Sequence, residues 1–177
     1  MMKKIIFALL AFSLFGCSTS LPVNYIPAPS IKGTEKVSIN EVKYQPFING
    51  KVKANEIQKA KGAIGTVYTS VNVDTLVRES FKKELIAAGY DLNNLSNLQI
   101  NLTIDKFLYD WIGFVEVDFY LDITYTITKN GVEIMRFSTQ EHQLAPKTMT
   151  SDSEAIKAAM SSSFTHFLLE ARRNKIL

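Results

Sequence analysis

Cysteine is almost missing from this sequence: Cys17 is the only one in 177 residues. A lone thiol excludes an intramolecular disulfide, so the fold must rest on its hydrophobic core. Histidine is nearly as scarce. His142 and His166 are the only two, and neither has a second His or Cys at metal-ligand spacing. There is no Gly-x-Ser-x-Gly elbow, so the serines near His166, Ser161 to Ser163, read as helix-surface residues rather than a hydrolase nucleophile. Gly62-Ala-Ile-Gly65 follows Lys59 and Lys61 but lacks the Lys-Ser/Thr ending of a phosphate-binding loop, and reads as a turn. Long apolar runs are also absent. The longest uncharged one, Ile5 to Phe15, falls short of the roughly 20 residues a bilayer-spanning helix needs.

What is there at the N-terminus is an address. Lys3 and Lys4 followed by the uncharged run form the n-region and h-region of an export signal. Leu14-Phe15-Gly16-Cys17 then resembles the lipobox of bacterial lipoproteins, in which a small residue precedes the cysteine. That resemblance implies cleavage before Cys17, diacylglycerol on its sulfur and an acyl chain on its new amino group. The competing readings are a buried thiol and an uncleaved signal anchor. Ser18 stands where inner-membrane retention usually shows Asp, so the resemblance implies the outer membrane, with the domain facing the periplasm. Removing Lys3 and Lys4 from 20 basic residues leaves 18 against 17 acids, a net charge of about +1. The whole-chain pI near 8.9 thus owes much to the signal, and no basic footprint for nucleic acid remains.

Residues 1–16 are therefore read as signal peptide, 17–35 as a lipidated cysteine and tether, and 36–177 as a single α+β domain. Pro22, Pro27 and Pro29 make 18–35 an extended linker in this reading, able to reach roughly 50 Å at about 3.1 Å per residue. Tyr25 and Ile26 could instead dock on the domain.

Val37 to Tyr44 is a first strand ended by Pro46, residues 47–62 are a polar loop, and Ala63 to Val71 is a second strand. A helix is predicted over 73–88. Asn72 is its N-cap, Leu76, Val77, Phe81, Leu85 and Ala88 its apolar stripe, and Gly89 its stop. Arg78, Glu79, Lys82, Lys83 and Glu84 populate the other face. From Leu98 onward, strict alternation through Ile104 and again from Val115 through Ile127 predicts long strands with one buried and one wet face. Asn130-Gly131 is a hairpin signal leading into a further strand from Val132 to about His142. Ser151-Asp-Ser-Glu154 reads as a capping box opening a last helix with Ile156, Met160, Phe164, Phe167, Leu168 and Ala171 on its apolar stripe. The economical assembly is two layers: an antiparallel sheet of about five strands with two helices packed on one face.

The lipobox, the Val37-Ser-Ile-Asn strand, Leu85-Ile-Ala-Ala-Gly89-Tyr90, Asn97-Leu-Gln-Ile100, Asn130-Gly131 and the final helix together resemble the YajG-type lipoproteins of Gram-negative bacteria. The resemblance spans nearly the whole chain and implies a fold and a location. It brings no catalytic residues.

The candidate chemistry is thin. Glu116, Asp118 and Asp122 share one face of one strand with Asp105 across from them, a pattern that paired-carboxylate catalysis or calcium binding would use, but on a wet face where a solvated surface explains it. The aromatic segment Phe107 to Phe114 lies at a strand connection, where polar residues are expected. Trp111, Tyr109 and Phe114 are therefore the candidate partner-binding residues, against the alternative that the cluster folds back as core. The expected protein is a non-enzymatic binding or scaffold module, without cofactor or metal, held to the membrane by its acyl chains and taking an envelope protein or lipid partner. An auxiliary lipoprotein of lipid or lipopolysaccharide transport is the alternative, and a cell-wall hydrolase a third. An apolar groove between the last helix and the sheet would favour transport; a flat polar sheet face would favour protein binding. Replacing Cys17 by Ala is expected to move the protein from the membrane to the soluble fraction on cell fractionation, and unchanged membrane recovery would count against the anchor.

Overall fold

The computed structural model describes residues 18–63, 65–112, 116–146 and 148–177, the side chains of residues 149–151 excepted. In chain order the elements are β1 (Ser18–Leu21), β2 (Lys36–Tyr44), α1 (Gln45–Ile48), β3 (Gln58–Lys59), β4 (Thr66–Thr69), α2 (Val73–Ala88), β5 (Asp91–Leu92), β6 (Leu98–Asp110), β7 (Glu116–Lys129), β8 (Val132–Pro146) and α3 (Met149–Arg173). Residues 1–17, which hold the expected export signal and Cys17, lie outside the described residues.

The expected α+β class is found. Period two in β6 and β7 places Ile100, Leu102, Ile104, Phe107 and Tyr109 on the same buried face as Phe119, Leu121, Ile123, Tyr125 and Ile127. Asn130 and Gly131 both have positive φ (53° and 80°), as a two-residue primed hairpin turn between β7 and β8 requires. Both long helices cover that face. Phe81 of α2 lies 5.0 Å from Phe164 and 5.8 Å from Phe167 of α3, and Phe167 stacks on Tyr125 of the sheet at 4.2 Å. These rings join the three elements through one dry contact.

The sheet is mixed rather than wholly antiparallel. Its order is β5-β2-β6-β7-β8, with β3 adding to β6 beyond the end of β2. β2 pairs with β6 in parallel, because α2 carries the chain back across the sheet between them. The six strands of this sheet exceed the five expected, since two-residue strands such as β3 and β5 leave no periodicity to read. The short α1 has Pro46 in its first turn, where proline fits, so Pro46 starts a helical turn as well as ending β2. The second strand expected over Ala63 to Val71 shrinks to Thr66–Thr69 and joins a separate two-stranded sheet.

The partner of that short strand is the segment read as a tether. β1 pairs with β4 in parallel, Ser18 opposite Thr66 and Leu21 opposite Thr69. Leu21, Tyr25 and Ile31 are buried, whereas Ile26 is exposed. The Gly33 N–H donates to the Ala88 carbonyl at the end of α2 at 2.9 Å, and a β-carbon on Gly33 would fall inside the Tyr90 ring. Residues 18–33 are thus a strap fastened along the domain rather than a spacer. The prolines set an extended path, and the buried side chains decide where it lies.

Two helix details also depart from expectation. Asn72 occupies the N-cap position of α2 but makes no side-chain capping bond. Helix α3 starts at Met149, so Ser151 lies inside it rather than at its N-cap, and Glu154 pairs with Lys157 at 2.6 Å.

The tyrosines of this core give a pH dependence. Burial pushes the phenols of Tyr25, Tyr44, Tyr109 and Tyr125 well above their ordinary value of 10.0. Above that value the unfolded chain releases phenolic protons that the folded chain keeps, so stability is full below pH 10 and is lost as the pH rises further. Denaturant unfolding between pH 9 and pH 12 should show a decline approaching about 1.4 kcal/mol per pH unit for each buried tyrosine. Tyr125→Phe should make that decline shallower.

Candidate functional site

The uncovered face of β6, β7 and β8 carries three cross-strand rows. Leu108, Tyr120 and His142 form one, Lys106, Asp122 and Gln140 the next, and Asp110, Asp118 and Leu144 the third. The His142 ring lies flat on Tyr120, with centroids 4.5 Å apart and planes 1° apart, while its Nε2 meets Asp118 Oδ1 at 2.5 Å. Asp110 and Asp118 face each other directly, a like-charge pair that costs stability, and His142 is the group placed to offset it. On the other side of Tyr120, the Lys106 ammonium stands 5.1 Å from the ring centroid and 3.8 Å from Asp122 Oδ2. Partial burial raises the Asp122 carboxyl above its ordinary range, opposed by Lys106 and reinforced by Asp105.

The carboxylates expected to share this face separate into different roles. Asp105 falls in a β6 irregularity between Ile104 and Lys106, where it accepts the Thr124 hydroxyl at 2.8 Å. Thr124 also bonds Ser138 at 3.0 Å. Glu116 begins β7 and is exposed. Among the described residues no three His, Cys, Asp or Glu side chains are gathered to hold a metal ion.

The aromatic candidates divide. Tyr109 is 2 % exposed and packs on Phe119 at 5.6 Å, with Phe107 fully buried beside them. It cannot present a ring to a partner, because strand alternation points it toward the helices. Burial and the Asp152 carboxylate both push its phenol up. Trp111 is half-buried, packed against the core and tilted on Tyr109 at 6.1 Å. Ile112 beside it is exposed. Phe114 lies outside the described residues.

Sequence reasoning missed a polar network under the last helix. β8 alternates Met135, Phe137, Thr139, Glu141 toward α3, so Thr139 and Glu141 are carried inside. The Ser163 hydroxyl bonds Thr139 at 2.6 Å and the Tyr125 hydroxyl at 2.7 Å. Glu141 accepts from the Ser162 hydroxyl at 2.7 Å and meets His166 Nδ1 at 2.8 Å. Ser162 and Ser163 are thus held by the sheet rather than lying on an open helix surface. The carboxylate stands between serine and histidine, so it draws the hydroxyl proton away from the imidazole that a hydrolase would use as base. Following the period of two through β8 would have exposed this network. His142 and His166 lie on opposite sides of the sheet.

A groove of about 480 Å³ lies between α2 and the β2–β5 edge, lined in part by Ser38, Arg78, Lys82 and Asn93. Its Arg78 donates to the Ile39 carbonyl at 3.2 Å, at a break in the register of β2, and Lys82 sits 3.9 Å from Glu79. Both cations are thereby engaged with the protein itself.

These features define a two-layer α+β domain with a closed helix-side core and an open polar sheet face. No protein-family model matches the sequence, and no curated protein matches it. Among solved structures, it is similar to a Xanthomonas campestris protein of the DUF330 family, with a TM-score of 0.69 at 8% identity, covering 91% of this chain and all of that one (100%). That likeness shows a shared fold. A minor lipoprotein from Acinetobacter baumannii aligns with a TM-score of 0.48 at 13% identity over 79% of this chain and 94% of its own. The rare lipoprotein B of Shewanella oneidensis aligns at 0.43 and 10% identity over 77% and 97%. Neither of these two bears on the argument at such scores.

Tyr109→Ala is expected to cost about 3–5 kcal/mol in urea unfolding, as for a fully packed aromatic ring. A loss below 1 kcal/mol, on that same scale, would place the ring at the surface.

Proposed function

We propose that this chain is an exported envelope lipoprotein, acylated at Cys17 and held on the outer membrane facing the periplasm, that serves as a non-enzymatic binding module. Its partner is taken on the open face of β6–β8. One observation carries the reading: Tyr120 is held between His142 and Lys106, with Asp118 and Asp122 on either side, on a sheet face that neither α2 nor α3 covers. An aromatic ring whose orientation is already set loses little entropy on binding, and the charges around it supply directional bonds. Catalysis is a poorer use of the same residues. The carboxylates there are engaged by histidine, lysine or threonine on an open surface, where water is not held off the reacting groups.

The transport alternative asks for an apolar groove between the last helix and the sheet. That space is occupied by Phe164, Phe167 and Tyr125, which favours the binding reading.

A photo-crosslinking residue placed at Tyr120 or Gln140 should capture a defined envelope component in intact cells. The same residue at Lys82, on α2, should not. Tyr120→Ala should lower that capture about tenfold or more, as for an interface anchor, while leaving the thermal midpoint nearly unchanged. Equal capture from both sides of the domain would remove the open face from the proposal.

A further inference from the structure

We infer that the end of the domain made by Lys59, Lys61 and the Trp111–Ile112 turn rests on the phospholipid surface of the membrane that holds Cys17. The inference rests on the acylation of Cys17 proposed above and adds an orientation to it.

Chain connectivity comes first. Cys17 is bonded directly to Ser18, the first residue of β1, so one Cα–Cα step of about 3.8 Å separates the lipidated residue from a hydrogen-bonded strand. The strap beyond it is fastened by Leu21, Tyr25 and Ile31. An anchor with so little slack brings whatever surrounds Ser18 to the headgroups.

Pairing identifies those surroundings. Ser18 lies opposite Thr66. The preceding Gly65 accepts the Lys59 ammonium at 2.9 Å. Ala60 donates to the Tyr109 carbonyl at 3.2 Å, and a β-carbon on Gly62 would meet the Ile112 side chain at 3.8 Å. Lys59 to Gly62 and the Trp111–Ile112 end of β6 therefore lie together, next to the start of β1.

Its chemistry is that of a membrane interface. Ile112 is 53% exposed, Trp111 is half-buried beside it, and Lys59 and Lys61 are exposed. Indole rings settle at the headgroup boundary, and lysines extend their ammonium groups to lipid phosphates while their stems cover apolar surface. Acidic groups lie at the same end, toward the open sheet face. Asp110 is turned to its own chain, accepting the Ile112 N–H at 3.1 Å, and Glu116 is exposed. Contact through the lysine side therefore tilts the open face away from the lipid. β7, with 14 residues at about 3.3 Å each, would then lift the Asn130–Gly131 hairpin roughly 45 Å from the membrane.

Trp111 is the only tryptophan in the chain, so it reports its own depth. The full-length protein, purified with its acyl chains, is placed in phosphatidylethanolamine–phosphatidylglycerol vesicles with and without brominated lipids. Bromine should lower Trp111 emission about two-fold or more, as for an indole at the headgroup boundary. Lys61→Glu with Ile112→Glu should abolish most of that quenching while the acyl mass and vesicle recovery stay unchanged. Lys59→Glu with Lys61→Glu serves the same purpose if the first pair fails to fold. An acylated protein whose emission ignores bromine overturns this inference and leaves the anchor standing. A protein with an unmodified Cys17 that floats free of vesicles overturns both, and one with an unmodified Cys17 that is still quenched overturns the anchor alone.

Discussion

A buried carboxylate fastens the middle of the N-terminal strap to the helices that cover the sheet. Glu84 has no exposed surface, and its Oε2 accepts the Tyr25 hydroxyl at 2.7 Å and the Ala28 N–H at 3.3 Å. A carboxylate taken from water is tolerated only where such donors replace its hydration. Lys83 adds a bond to the Tyr25 carbonyl at 3.3 Å, so two neighbouring residues of α2 hold one residue of the strap. The Tyr25 ring also packs edge-on against Phe164 of α3 at 5.7 Å. One residue thereby ties the entry of the chain to both helices. Without this clasp the strap would depend on the β1–β4 pairing at one end and the Gly33 bond to Ala88 at the other.

This clasp also explains which parts of the fold could be read from the chain and which could not. Signals that are local in sequence survived: the stripe of α2 and its Gly89 stop, the alternation of β6 and β7, and the Asn130–Gly131 turn. Interactions between distant residues did not. Tyr25 and Glu84 are 59 positions apart, and nothing near either predicts the other. Three prolines made the strap look like a spacer because proline fixes direction without stating what lies beside it. Charge alone places Glu84 on the solvent face, although it sits three residues from Phe81 and four from Ala88, well within the apolar stripe. Position on the helix won, because a donor was waiting.

The same logic sorts the candidate site. Tyr109 and Trp111 stand two positions apart on the same side of the chain, yet Tyr109 lies within β6 and is packed in the core while Trp111, just past the strand's end at Asp110, is half-buried. Tyr120 drew no attention in the sequence, because an aromatic among Asp and Thr on a wet face has no local signature. Its value comes from cross-strand neighbours, Leu108 on one side and His142 on the other, set by registers that are written in two other strands.

Two surfaces of opposite character then follow from one arrangement of strands. The helix-side face is filled by rings from three elements, leaving the polar face as the one that can meet something large. β8 borders that face and is a long edge strand, which would invite uncontrolled pairing if it were apolar. The middle of its outward side carries Arg136, Ser138, Gln140 and His142, between exposed Ile134 and Leu144, and Arg136 is pinned to Glu133 by two bonds at 2.8 and 3.0 Å. That polar and charged middle disfavours added strands, while Asp118, Tyr120 and His142 are joined by a stacked ring pair and a hydrogen bond. Selective binding needs both properties: alternatives must be costly, and the favoured contact must already be in place. Here Gln140 and His142 of the edge strand lie directly opposite Asp122 and Tyr120 of β7 on the same face, so edge protection and the ordered row are built from one set of cross-strand pairs.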